Sequence, residues 1–247
     1  MNLETFFKEH PRVALGFSGG VDSSYLLYAG IHYGADVQPY FVKSVFQPAF
    51  ELDDAKRIAA YVGADLRIIE CDVLAHETVR SNPENRCYYC KQAIFCSIAA
   101  RAAQDGYTVL IDGSNASDDD GDRPGMRAIA ELDVLSPLRN AGLTKDDIRK
   151  LSKEAGLFTW DKPSYACLAT RIPTGVQITS DMLQGIEASE QLLHDMGFRD
   201  FRIRVFHGAA RIQVPLHQLP EVLSKREDIL LSLRPYFPSV LLDLVAR

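Results

Sequence analysis

The chain has no apolar run as long as the ~18 residues a membrane span needs. Its start, Met1-Asn2-Leu3-Glu4-Thr5-Phe6-Phe7-Lys8-Glu9-His10, is not a basic stretch followed by an apolar one, so a secretory leader is not expected. A cytoplasmic location is the default expectation. Cysteine is sparse: five residues among 247, an odd number in a chain long enough to build its own core, which argues against a disulfide framework. Excess positive charge is also missing. Lysine and arginine total 27 against 33 acidic residues, a net charge of −6 that argues against binding nucleic acid through overall charge. Two phosphate signatures are absent as well. No Gly-Lys-Ser/Thr occurs, which excludes the loop that holds a γ-phosphate for transfer, and no Gly-x-Gly-x-x-Gly marks a dinucleotide site.

What is present is an alternation of strand-like and helix-like runs. Strands are expected at Arg12 to Phe17, Asp36 to Val42, Leu66 to Ile69 and Thr108 to Ile111. Helices are expected from Ser24 to Ala29, from Asp53 to Val62 with Ala55, Ile58, Ala59 and Val62 as its stripe, and from Cys87 to Ala103. That order predicts an α/β fold, a parallel sheet with helices on both faces, which binds ligands at the carboxyl ends of its strands. Residues 1–172 are expected to form this domain. Residues 173–247 read as a small α+β domain for substrate binding or oligomerisation. It has an amphipathic helix from Ser180 to Met196, strands at Phe201 to Phe206 and Arg211 to Val214 around a His207-Gly208 turn, a helix from Leu223 to Leu233, and a last strand at Val240-Leu241-Leu242.

The first strand runs into Ser18-Gly19-Gly20-Val21-Asp22-Ser23 and then a helix. The glycines let backbone N–H groups converge, the helix start adds positive potential, and the serines add hydroxyl donors, a set that suits phosphate better than a plain turn. The hexad resembles the PP-loop of the ATP pyrophosphatases. That resemblance implies that the loop holds the β,γ-pyrophosphate while a substrate oxygen attacks the α-phosphorus, with Asp22 helping to organise Mg²⁺. A polar loop, Asn115 to Gly125, follows the fourth strand and is a second candidate for the site.

Cys87-Tyr88-Tyr89-Cys90 alone is ambiguous between a redox pair and half of a metal site. With Cys167 it makes three thiolates, which can hold a 4Fe-4S cluster with one iron open, or a Zn²⁺ site lacking a nearby histidine. Cys71 and Cys96 read as buried small hydrophobes.

Several segments together resemble the LarE family: Asn85 to Lys91, Asp112-Gly113-Ser114-Asn115, Asp122 to Ala128, Pro163 to Arg171, Arg202-Ile203-Arg204-Val205 and Ala210-Arg211-Ile212. The likeness runs nearly end to end. It implies an ATP-dependent sulfur transferase that adenylates pyridinium-3,5-dicarboxylic acid mononucleotide and converts its carboxylates to thiocarboxylates for the nickel-pincer cofactor of lactate racemase. In one branch of that family a single cysteine, matched by Cys167, gives up its sulfur; in the other three cysteines hold a sulfur-carrying 4Fe-4S cluster. Cys87 and Cys90 favour the second, with all three thiolates expected to converge near the α-phosphate. By the same resemblance, Lys91 and Arg86 neutralise adenylate charge, Ser44 lies at the adenosine site, and Asp112 belongs to the nucleotide-binding set. Arg202 and Arg204 share a strand face, and Arg211 is expected beside them, a set suited to a mononucleotide phosphate. Glu190 either acts on substrate or pairs with an arginine. Family members form homo-oligomers, so one is expected here. The competing readings are a PP-loop tRNA thiolase with a cluster, an amide-forming adenylating synthetase, and a nucleotide sensor without turnover.

Overall fold

The computed structural model describes residues 2–118 and 124–247. In chain order the first elements are α1 (Leu3–Glu9), β1 (Arg12–Gly16), α2 (Val21–His32), β2 (Asp36–Lys43), α3 (Ala49–Val62), β3 (Arg67–Glu70), α4 (Glu77–Arg80) and α5 (Arg86–Gln104). Then come β4 (Leu110–Ile111), α6 (Pro124–Glu131), α7 (Pro137–Asn140), α8 (Lys145–Glu154) and α9 (Ser180–Asp195). The chain closes with β5 (Arg202–Phe206), β6 (Ala209–Gln213), α10 (Leu219–Ser224), α11 (Arg226–Leu233) and β7 (Val240–Leu242). Contacts divide the chain into two units, 1–73 with 85–164 and 74–84 with 165–247.

The first unit is an α/β layer structure around a parallel sheet of order β3-β2-β1-β4. Alternation along the strands sends side chains to both faces. Val13, Leu15, Val37 and Phe41 pack on one side with residues of α1, α2, α3, α7 and α8. Ala14, Tyr40 and Val42 pack on the other against Phe95, Ile98 and Ala102 of α5 and Ile129 of α6. A strand buried on both faces needs an apolar residue at every position, hence the unbroken Val13-Ala14-Leu15, all fully buried. Each such large side chain contributes about 1.5–3 kcal/mol on leaving water.

The second unit sets α9 against a three-stranded sheet of order β5-β6-β7. Strands β5 and β6 form a hairpin that places Arg204 opposite Arg211. The two-residue turn has His207 at φ +49° and Gly208 at φ +80°, the paired left-handed conformations that match strand twist. The segment 74–84 is zipped to 172–178. The N–H of Ile178 donates to the Arg80 carbonyl and that of Gly175 to the Asn82 carbonyl, both at 2.8 Å, and the Asn82 amide reaches the Pro173 carbonyl, also at 2.8 Å.

Local departures from the sequence reading have physical causes. Helix α3 starts at Ala49 rather than Asp53, because Pro48 serves as its extended N-cap. The expected helix over Leu223 to Leu233 is broken at Lys225, whose ammonium donates to the Met196 carbonyl at 2.6 Å and faces the Phe198 ring. Cys96 is exposed rather than buried, and Cys71 is half-buried against the α5 side of the sheet. Of the polar loop, residues 119–123, which include Asp122 and Arg123 of the family-like motif, lie outside the described residues.

Candidate active site

The hexad forms the turn from β1 into α2. Gly20 is the N-cap and no side chain caps the helix, so the N–H groups of its first turn are left to whatever anion the loop receives. The serines brace the turn from within. Ser23 Oγ accepts from the Ser18 N–H and donates to the Gly20 carbonyl, both at 3.3 Å, and lies 3.1 Å from Ser18 Oγ. Ser18 Oγ also accepts from the Gly20 N–H at 3.3 Å. Gly19 is required twice over: its φ is +69°, and a Cβ there would come within 2.9 Å of the Ala55 backbone nitrogen on α3. Val21 is buried behind the loop.

The end of β4 wraps this loop. A Cβ on Gly113 would meet the Ser23 backbone nitrogen at 2.9 Å, so the segment after β4 lies in direct contact with the start of α2. Asn115 Nδ2 then donates to Asp22 Oδ1 at 3.3 Å. Asp112 is buried and organises the turn itself, accepting from the Ser114 N–H at 3.2 Å, the Ser114 hydroxyl at 2.5 Å and the Ser136 hydroxyl at 2.7 Å. Two lysines that sequence reasoning missed stand beside the loop. Lys145, the first residue of α8, pairs with Asp22 at 2.5 Å. Lys162 pairs with Asp54 at 2.7 Å and lies 3.5 Å from the Gly19 carbonyl. The Thr144-x-x-Asp147 capping box was the available signal for α8, whose start carries Lys145. Ser44, at the end of β2, is buried, and its hydroxyl donates to Gln47 Oε1 at 2.5 Å.

Cys87 and Cys90 lie in the first two turns of α5, three residues apart and so on one face. Cys87 is exposed, Cys90 half-buried, and a guanidinium nitrogen of buried Arg86 sits 3.7 Å from Cys87 Sγ. Burial pushes the Lys91 ammonium below the usual lysine range, against the pull of Asp112, Asp118, Cys87 and Cys90. Two thiols on one helix face suit soft-metal ligation. Among the described residues, no three His, Cys, Asp or Glu side chains are grouped as a metal site.

Cys167 belongs to the second unit, half-buried at the N-cap of a short 3₁₀ turn over Leu168–Arg171. That turn is clamped. Arg171 Nε lies 3.0 Å from Glu190 Oε1, with side-chain exposures of 1% and 8%. Its other nitrogens donate to Glu190 Oε2 at 3.2 Å and to the Ala166 carbonyl at 2.8 Å. Glu190 also accepts from the Tyr165 hydroxyl at 2.5 Å and the Ile203 N–H at 3.0 Å, so it pairs with an arginine and ties α9, β5 and the Cys167 segment together.

Arg202, Arg204 and Arg211 share the expected sheet face. Arg202 lies over the Tyr165 ring, 5.1 Å from its centre, and Arg171 lies 4.6 Å from the same centre. Burial, with Arg171 and Arg247 nearby, pushes Arg202 down to about 10. Arg204 donates to the Thr170 carbonyl at 2.7 Å and to Gln213 at 2.6 Å, and Arg211 lies 3.5 Å from Asp243. Among the described residues, no helix is long and apolar enough to cross a membrane.

No family model matches the chain. A protein of Synechocystis sp. with no assigned role is 34% identical over 223 residues, 89% of this chain and 82% of that protein. A tRNA-specific 2-thiouridylase of Pseudothermotoga lettingae is 26% identical over 220 residues, 74% of this chain and 63% of that protein. The pyridinium-3,5-bisthiocarboxylic acid mononucleotide synthase of Lactiplantibacillus plantarum is 30% identical over 223 residues, 90% of this chain and 81% of that protein. With a parallel sheet, a glycine-built phosphate loop and that extent of identity, the chain belongs to the LarE family and is an ATP-dependent sulfur transferase of the PP-loop kind.

Proposed function

We propose that this enzyme adenylates a carboxylate of pyridinium-3,5-dicarboxylic acid mononucleotide and replaces the adenylate with sulfur, giving a thiocarboxylate for the nickel-pincer cofactor of lactate racemase. The observation that carries the reading is the uncapped start of α2 behind Gly19 and Gly20, a backbone cradle for phosphate, in a chain so similar to the plantarum synthase. The loop would bind the β,γ-phosphates of ATP and leave the α-phosphorus open to the carboxylate oxygen. Pyrophosphate departs with the electrons of the broken P–O bond. Ser18, Gly19, Gly20, Val21 and Ser23 orient the leaving group, and Asp22 is the ligand offered to Mg²⁺, which would neutralise its charge. Lys91 and Arg86 would balance the adenylate, Ser44 would face adenosine, and Arg202, Arg204 and Arg211 would hold the substrate phosphate. Cys87, Cys90 and Cys167 would hold a 4Fe-4S cluster, whose chemistry would be to supply the sulfur. The chain's own part is to offer the three cysteines and to fix the Cys167 turn through Arg171 and Glu190.

The test is anaerobic turnover with the pyridinium mononucleotide. Release of AMP and pyrophosphate in step with thiocarboxylate is expected; release of ADP, or no substrate-dependent release, sinks the proposal. Arg202→Ala and Arg204→Ala should each weaken substrate binding about tenfold or more while leaving ATP binding near its original value. Equal loss of both ligands counts against a substrate-phosphate role. Mass spectrometry separates the sulfur sources: Cys167 keeps its sulfur if it is a cluster ligand and becomes dehydroalanine if it is the donor. Tight tRNA binding at low salt would favour a tRNA thiolase instead. A cytoplasmic homo-oligomer is part of this reading, with light scattering as the check on its assembly.

A further inference from the structure

Asp22 is the loop's only carboxylate, and donors already hold both of its oxygens. Lys145 Nζ lies 2.5 Å from Oδ2 and Asn115 Nδ2 lies 3.3 Å from Oδ1. A divalent cation bound to that carboxylate would stand beside the Lys145 ammonium, and the repulsion between the two positive charges favours displacing one of these donors. The amide belongs to the segment that wraps the loop behind Gly113 and has little freedom. The ammonium is differently mounted. Its backbone is pinned, with the Lys145 N–H donating to Ser117 Oγ at 2.9 Å and the Thr144–Asp147 capping box closing the helix start. Its side chain remains 29% exposed on a four-carbon stem. Lys162 is the contrast: its carboxylate partner, Asp54, lies outside the loop, and its side chain is only 16% exposed.

We propose that Lys145 is a positioning residue of the nucleotide site, an exchangeable counter-ion that holds Asp22 in the empty loop, yields it to the metal that comes with ATP, and re-pairs with the nucleotide's phosphates. This rests on the reading of the loop as an ATP site. The exchange keeps a positive charge on Asp22 throughout, so the loop never presents a bare carboxylate to an incoming polyanion. It also means that metal and lysine compete for one ligand while acting together on the phosphates.

The experiment is equilibrium binding of a fluorescent, non-hydrolysable ATP analogue to the intact protein, in EDTA and across a Mg²⁺ series. Lys145→Met leaves the capping box and the main-chain bond to Ser117 in place. It should weaken binding in EDTA about tenfold, through loss of a charged hydrogen bond. It should also lower several-fold the Mg²⁺ concentration that half-saturates binding, because the competitor is gone. Asp22→Asn should strengthen binding in EDTA, and that gain should shrink in the Lys145→Met background, since a freed lysine is its source. Lys145→Gln repeats the measurement if the methionine variant unfolds early. If the wild-type protein does not bind the analogue at all, the ATP reading fails and takes this inference with it. If the wild type binds but Lys145→Met leaves the Mg²⁺ midpoint unchanged or raises it, only the exchange is overturned.

Discussion

Two regions of this protein are proposed to meet phosphate, and they are built from different parts. The loop of the first unit relies on backbone. Its donors are N–H groups at the start of α2, its key residues have no side chain, and its cations, Lys145 and Lys162, are already neutralised by carboxylates. The sheet face of the second unit relies on side chains. Arg202 and Arg204 are held by a tyrosine ring, a carbonyl and a glutamine; the ring and the carbonyl's residue are bonded in turn to the buried Arg171–Glu190 pair, and the glutamine to Asp243. A backbone site is sensitive to added atoms and indifferent to most truncations. A side-chain site fails when its supports are cut away.

The largest expected effect cuts the supports. Glu190→Ala leaves the Arg171 guanidinium buried and unpaired, which costs about 3–5 kcal/mol. Urea unfolding should show that loss in the second unit, while ATP still binds wherever the first unit remains folded. Loss of ATP binding in parallel would erase the distinction. Next in size is an added atom. Gly19→Ala brings a methyl group against the Ala55 backbone in a left-handed conformation, and should weaken ATP binding about a hundredfold with substrate-phosphate binding retained. Calorimetry with each ligand checks both halves. The smallest change sharpens the picture. Tyr165→Phe removes one hydroxyl donor from Glu190 but keeps the ring against two arginines, and should cost about 1 kcal/mol in stability while hardly changing substrate affinity. A large affinity loss would place the hydroxyl, rather than the ring, in the arginine scaffold.

Much of this was legible in the sequence. The buried parallel strands follow from unbroken apolar runs, the stripe of α3 from its period, and the hairpin register from His207-Gly208. Gly19 marks the loop because only a residue without a side chain fits a left-handed conformation packed against a neighbouring helix. Lys145 and Lys162 were not legible, since a lysine far along the chain carries no local mark of the carboxylate it will meet. The same is true of Lys225, where a tertiary bond to the Met196 carbonyl overrides a helical pattern that looks continuous. Asp112 has the opposite history: its motif was visible, but its three hydroxyl and amide donors are set by the turn it makes.

The strand of chain from Leu74 to Glu84 leaves the first unit after β3, bonds to residues 172–178, and returns to begin α5. Modularity is thereby lost at the level of the gene. A fragment beginning at Tyr165 would lack Asn82, which is buried, has φ +55°, and bonds through its amide and carbonyl to Pro173 and Gly175. Recombination at a single junction cannot trade this second unit for another, because its heritable blueprint is written in two places, with the cysteine-bearing helix in between. Exchanging the unit takes a matched change at both places.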